Sequence, residues 1–268
     1  MLPDFLIVGP PRCGTKSLSY YLNQHPEICV SHYKSEIHYF DMNFDKKLKW
    51  YEKHFEDCKK ENLIGEKTAT YIEKEKYAKR IFKVLPNVKL IFIFREPVSR
   101  CYSDYWQAVK IGKEDRSFKE IINENNKYIR RSKYYTLLKN FDFIPEKQKY
   151  IMISENFWSD TISSIKGLFE FLDVDKTFTP KKEKQIKKGK APRSKFLAKL
   201  AYNRYNLPLI NGNRELEITL RDTINAINLK NDYPKMDKEI KKELKKRFMS
   251  EIKKLERHLD KDLSIWYD

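Results

Sequence analysis

An α/β fold, with a central parallel sheet flanked by helices, is predicted by three features of the sequence. Short apolar runs of strand length alternate with stretches whose apolar residues recur at helical spacing. The first such run passes through a Gly-Pro-Pro turn straight into a helical segment. The chain has 268 residues, 40% of them hydrophobic and 14% aromatic, enough to bury a sizeable core as one domain spanning 1–268.

Taken in order, residues 4–8 (DFLIV) read as a buried strand ended by Gly9, Pro10 and Pro11. Leu18, Tyr21 and Leu22 then share one face of a helix over 15–23, stopped by His25-Pro26. Further strands are expected at 28–30, 63–65, 89–94 and 150–153. Helices are expected near 74–84, 99–111, 117–127, 132–140 and 160–172. Over 237–260, Ile240, Leu244, Phe248, Ile252, Leu255 and Leu259 recur at spacings of three and four, which predicts an amphipathic helix with a charged outer face. Strands alternating with helices in this way favour a parallel sheet over an antiparallel one.

The charge balance is 55 Lys and Arg against 38 Asp and Glu, a net +17, which favours anionic partners such as nucleotides, acidic glycans, nucleic acid or a membrane surface. Much of it is local: residues 176–204 hold 11 Lys or Arg and the single acid Glu183, so 11 − 1 gives +10. With Pro180, Gly189 and Pro192, the part over 176–195 reads either as a solvated Lys-rich loop or as a long functional one. No run of about 18 apolar residues is present, so no transmembrane helix is expected. The N-terminus lacks the basic start and long apolar stretch of a signal peptide. The cysteines (Cys13, Cys29, Cys58 and Cys101) show neither paired nor metal-ligand spacing, and there is no N-x-[ST] sequon. These features predict a cytoplasmic protein, the alternative being a catalytic fragment of a membrane-anchored enzyme.

Two segments carry phosphate-binding chemistry. In FLIVGPPRCGTKSL, a loop between a buried strand and a helix offers the backbone N–H groups of Pro11-Arg12-Cys13-Gly14-Thr15-Lys16-Ser17, Pro11 excepted, to an anion. Gly9 and Gly14 have the spacing of the nucleotide-binding P-loop G-x-x-x-x-G-K-[ST], but Thr15 stands where the Lys belongs, and Lys16-Ser17 follow one residue late. One residue turns a helix by about 100°, which weakens an ordinary ATPase reading without weakening anion binding. The alternative is a plain strand–helix connection. In KLIFIFREPVSRCYSDYWQ, Arg95 ends a strand and Ser103 lies on the following helix with Arg100 and Tyr105. A guanidinium and a hydroxyl placed there suit a second phosphate. The alternative is an Arg95–Glu96 surface pair beside a capped helix.

G-x-x-R-x-G-T-x-S-L after the first strand, with FREPVSRCYSDY about 80 residues later, resembles the two nucleotide signatures of the sulfotransferases that use 3′-phosphoadenosine-5′-phosphosulfate (PAPS) and release 3′-phosphoadenosine-5′-phosphate (PAP). KSEIHYFD at 34–41, EKTATYI at 66–72 and the ending HLDKDLSIWYD also resemble the carbohydrate branch, with its heparan sulfate sulfotransferases and bacterial relatives; similarity is weakest at 205–235. The resemblance implies a P-loop-like α/β sandwich and sulfuryl transfer without a metal. It implies that residues 11–17 hold the 5′-phosphosulfate and that Arg95 and Ser103 hold the 3′-phosphate.

It further implies that Glu36 is the catalytic base, with His38 the runner-up because small-molecule sulfotransferases use His. Lys67 would lie near the sulfuryl group or the acceptor. Arg12 stands where many animal members carry Lys, keeping the charge but not its point-like geometry. Tyr134 or Tyr135 in SKYYTLL would pack on the nucleotide, and Lys188, Gly189 and Arg193 belong to a basic loop covering it. The implied acceptor is a carbohydrate or other small hydroxyl compound, an acidic glycan included, with an amine as the lesser case and no nucleic acid partner. Two other classes stay open: a P-loop kinase or NTPase, and a non-catalytic polyanion-binding protein.

Overall fold

The computed structural model describes residues 1–31, 35–59, 63–181, 189–202 and 214–267. The chain divides into two compact units built from interleaved segments: Met1–Pro97, Arg131–Lys184 and Phe248–Asp268 in the first, Val98–Arg130 and Gln185–Arg247 in the second. In chain order the elements begin with β1 (Phe5–Gly9), α1 (Thr15–Leu22), β2 (Ile28–Val30), α2 (Tyr39–Met42), α3 (Leu48–Glu52), β3 (Leu63–Lys67), α4 (Glu75–Val84) and β4 (Lys89–Phe94). They continue with α5 (Pro97–Lys110), α6 (Phe118–Ile122), α7 (Lys127–Arg130), α8 (Tyr134–Leu138), β5 (Lys149–Ile153), α9 (Ser154–Ser159) and α10 (Thr161–Leu172). The last are β6 (Lys190–Pro192), α11 (Lys195–Tyr202), α12 (Arg214–Asn228), β7 (Leu229–Asn231) and α13 (Lys238–Leu259).

The first unit is organised by a five-stranded sheet in the order β2-β3-β1-β4-β5, parallel throughout. Phe5, Leu6, Ile7 and Val8 in its centre are wholly buried, as expected of a parallel strand covered on both faces. Ile7 pairs with Lys67 on one side and Ile91 on the other, so the carboxyl ends of β1, β3 and β4 lie side by side. Parallel strands thereby deliver three loops to one sheet edge, the place where such folds bind ligands.

The second unit carries the two-stranded antiparallel pair β6–β7, joined in sequence through α11 and α12. Its strand β6 lies inside the segment expected to be a long basic loop, so that expectation is corrected over 190–192: Ala191 is wholly buried and pairs with Lys230. Residues 182–188 of the segment, Lys188 among them, lie outside the described residues. On α13 the expected apolar stripe is realised, with Leu244, Phe248, Ile252 and Leu255 all buried. Among the described residues no helix is long and apolar enough to cross a membrane.

The cysteine reading is also corrected. Cys29 on β2 and Cys58, just after α3 and a short 3-10 turn, are joined by a disulfide, with Cα atoms 5.8 Å apart; Cys13 and Cys101 are buried free thiols. A separation of 29 residues carries no sequence signature, because the pairing is made by the fold and not by spacing. The cytoplasmic expectation thus loses the support it drew from cysteine usage. Cys58→Ser is expected to lower unfolding stability by about 2–4 kcal/mol, by releasing a constraint on the unfolded chain. Urea denaturation of wild type and variant checks this, and coincident midpoints would contradict it.

Candidate active site

The loop between β1 and α1 depends on backbone shapes that the sequence supplies. Gly9 and Gly14 sit at φ 104° and 107°, a region that side chains disfavour, and Arg12 between them has φ 73°. At Gly9 the space is closed as well: a Cβ would come within 1.9 Å of the Ala69 carbonyl oxygen. The pairing of β1 with β4 slips by one residue between Ile7 and Gly9, which bends the strand end. Gly14 then precedes the first turn of α1, with Cys13 and Thr15 buried and the Lys16 side chain exposed.

Arg95 follows β4 at the same edge and donates from a guanidinium nitrogen to the Arg12 carbonyl at 3.5 Å. Tyr134 ties these parts together: its hydroxyl donates to the Arg95 carbonyl at 2.7 Å and lies 3.9 Å from Cys13 Sγ. Its ring, 1% exposed, stacks on Phe94 at 4.6 Å. Its burial and contacts make it a support for the loop and Arg95.

At the end of β3 a second cluster surrounds Glu36. Its Oε1 accepts from Lys67 Nζ at 3.3 Å and from the Ala69 backbone N–H at 3.4 Å; its Oε2 lies 3.4 Å from His38 Nε2. Lys67 is 5% exposed, whereas the Glu36 carboxylate is about a quarter exposed, so the cluster is open on the acid's side. His38 stands at φ 58°, and its Nδ1 lies 3.0 Å from Asp41 Oδ2, which also accepts from the Thr70 hydroxyl at 2.5 Å. Ala69 joins the two clusters, since its carbonyl abuts Gly9 while its N–H holds Glu36. A carboxylate held by an ammonium and a backbone amide, with one oxygen facing an imidazole and solvent, is equipped to take a proton from a bound hydroxyl.

In the second unit, Ser103 on α5 lies 3.3 Å from the Tyr233 hydroxyl. A Cβ on Gly189 would fall 2.2 Å from the Tyr233 ring, so a larger residue there would have to displace that ring. The Arg193 side chain is exposed, and its backbone N–H donates to the Asn228 carbonyl at 2.7 Å. Arg100 is wholly buried against Asp104 and the Tyr128 carbonyl, which makes it structural.

The sulfotransferase-domain family model matches residues 2–200. The chain belongs to the sulfotransferase family. Membrane-associated sulfotransferase kil1 of Dictyostelium discoideum is 39% identical over 132 residues, 46% of this chain and 28% of that protein. Heparan sulfate glucosamine 3-O-sulfotransferase 5 of mouse is 29% identical over 189 residues, 65% of this chain and 54% of that enzyme. The chain thus spans about half the length of the heparan sulfate relative, and less of the first. Among solved structures, a sulfotransferase from Alicyclobacillus acidocaldarius superposes with a TM-score of 0.74 at 22% identity, covering both chains completely. That likeness bears out the P-loop-like α/β fold.

Asp41, Thr70, Tyr233 and the Ala69 amide join these clusters without having been expected from the sequence. Asp41 did carry a signal, being three residues beyond His38. The His38–Asp41 pair also makes stability depend on pH. His38 is raised above its ordinary 6.5, chiefly by its hydrogen bond to Asp41, with burial opposing. For Asp41, burial pushes the carboxyl up, but hydrogen bonds from His38 and Thr70 outweigh it, and the net shift is below 3.8. The His38 contribution is therefore complete below its unfolded value and fades as pH rises through the raised one. The Asp41 contribution is present above its unfolded value and fades as pH falls through the lowered one. Asp41→Asn is expected to cost the most in melting temperature near pH 5.5 or so and much less near about pH 9. An equal deficit at both pH values would contradict the pairing.

Proposed function

We propose that the protein transfers a sulfuryl group from PAPS to a hydroxyl of a carbohydrate. The observation that carries this reading is Ala69, whose two backbone groups adjoin the β1–α1 loop and the Glu36 carboxylate, so that an anion-binding loop and a proton acceptor share one sheet edge. Backbone N–H groups over 12–17, with Arg12, hold the 5′-phosphosulfate, and Arg95 holds the 3′-phosphate. Nucleotide-binding roles for Ser103, Gly189 and Arg193 rest on the family resemblance alone.

Glu36 takes the proton as the acceptor oxygen bonds to sulfur and the bond from sulfur to the bridging phosphate oxygen breaks, leaving a sulfate ester, PAP and a protonated Glu36 that returns its proton to solvent. Lys67 holds the Glu36 carboxylate in place and adds positive charge near the transferred group. His38, oriented by Asp41 and Thr70, fixes the other carboxylate oxygen. Catalysis then rests on positioning and charge, as in phosphoryl transfer.

The similarity to a heparan sulfate 3-O-sulfotransferase and the net charge of +17 both support an acidic glycan as acceptor. With sulfur-labelled PAPS and heparan sulfate as the probe, label is expected on the glycan with release of an equal amount of PAP. Tight PAP binding without transfer to heparan sulfate or to neutral sugars would remove the carbohydrate acceptor from this reading.

A further inference from the structure

Glu66 is a wholly buried acid with no part in the proton transfer above. It precedes Lys67 on β3, and because successive strand residues face opposite ways, it points away from the Lys67 side of the sheet. Its carboxylate accepts from three hydroxyls: Thr68 at 2.6 Å and Tyr71 at 2.8 Å on Oε1, and Tyr51 on Oε2. Two of these hydroxyls reach on to the segment that follows Glu36. Tyr71 accepts from the backbone N–H groups of Tyr39 at 2.9 Å and Phe40 at 3.3 Å, and Thr68 accepts from that of His38 at 3.4 Å.

A hydroxyl has one proton to give. The Tyr71 and Thr68 protons go to Glu66 Oε1, so their lone pairs are left facing the amides of residues 38–40. Without an acceptor at Oε1 the hydroxyls are free to turn, and the amides lose partners that they need at a buried, left-handed turn. Burial also raises the Glu66 carboxyl above its ordinary range, against the lowering by its three hydroxyl partners. Tyr51 adds a second tie, because its ring stacks on Tyr39 at 4.3 Å while its hydroxyl donates to the same carboxylate.

We propose that Glu66 is a positioning residue for Glu36: its Oε1 aims the Tyr71 and Thr68 hydroxyls at the amides of His38, Tyr39 and Phe40, and thereby fixes the turn from which Glu36 meets Lys67. This rests on the reading of Glu36 as the base. It makes the acceptor oxygen, and not the negative charge, the property that matters.

The test compares Glu66→Met, Glu66→Gln and Tyr71→Phe with wild type by hydrogen exchange of single amides and by transfer kinetics on heparan sulfate. Glu66→Met and Tyr71→Phe are expected to speed exchange at Tyr39 and Phe40 by at least about 10-fold, with β4 amides unchanged. Their kcat is expected to fall on the order of 10- to 100-fold, with KM for PAPS within about twofold. Glu66→Gln, whose amide oxygen can occupy the Oε1 position, is expected to restore most of both. Wild-type protection at residues 38–40 in Tyr71→Phe, or a Glu66→Gln protein as impaired as Glu66→Met, overturns the proposal. Tyr71→Phe keeps the ring and serves if Glu66→Met fails to fold. Exchange needs no acceptor, so it stands even if heparan sulfate is not a substrate. A Glu36→Gln protein with wild-type kcat in the same assay would instead mark failure of the base assignment.

Discussion

Glu36→Gln is expected to reduce sulfuryl transfer by roughly 10²- to 10⁴-fold, the usual worth of a positioned general base, while PAP affinity stays within about twofold of wild type. The substitution keeps the shape of the side chain, and an amide oxygen can accept from the Ala69 N–H as the wild-type Glu36 Oε1 does at 3.4 Å. It removes the capacity to take a proton and takes the negative charge from beside Lys67, which is almost wholly buried. Those effects separate cleanly. PAP bears neither the sulfuryl group nor the acceptor, so its affinity reports on the nucleotide-binding groups and not on the base. Steady-state rates and calorimetry on one preparation decide the matter: a variant within about threefold of the wild-type rate is not missing its base.

Arg95→Ala is expected to weaken PAP by roughly 10- to 100-fold, the scale of a lost hydrogen-bonded ion pair to phosphate. Adenosine 5′-phosphosulfate, which has no 3′-phosphate, is expected to bind about as well as before. The comparison matters because Arg95 also donates to the Arg12 carbonyl. If the substitution acted only by loosening the β1–α1 loop, both nucleotides would weaken together. Preferential loss of PAP assigns the guanidinium to the 3′-phosphate, and equal loss would make Arg95 a support of the loop. Arg95→Lys is expected to recover only part of the affinity, since an ammonium lacks the fork that binds two phosphate oxygens.

The sheet was legible because a parallel strand covered on both faces is written as an uninterrupted apolar run. The runs at 28–30 and 89–94 coincide with β2 and β4. β3 runs two residues beyond its expected end at Gly65, because Glu66 and Lys67 are polar and nothing in their pattern says that a strand can bury them. The meaning of those two residues lay in what they meet: Glu66 meets three hydroxyls that are 2, 5 and 15 residues away, and Lys67 meets Glu36 from 31 residues away. Such networks are assembled by the sheet and leave no local trace.

The short helices α2 and α3 were also unread, being too brief to display a period; α12 was unread although Leu216, Leu220, Ile224 and Ile227 recur in it at spacings of four and three. Tyr134 was found by its motif, yet its place between Phe94, Arg95 and Cys13 is a matter of packing. For the candidate site, the resemblance to carbohydrate sulfotransferases, and not the spacing of the residues, pointed to Glu36, Lys67 and His38, and the structure places Lys67 and His38 within 3.4 Å of Glu36.

The central claim is that the nucleotide site is built for a 3′-phosphorylated adenosine donor. Calorimetric titration of the purified protein at moderate salt, with PAP and in parallel with ATP plus Mg²⁺, tests it most directly. Tight, saturable PAP binding with ATP weaker by at least about 100-fold, or some 2.7 kcal/mol, is the result this account predicts. Equal affinity, or a preference for ATP, would contradict the assignment of Arg95 to the 3′-phosphate and, with it, PAPS as the donor.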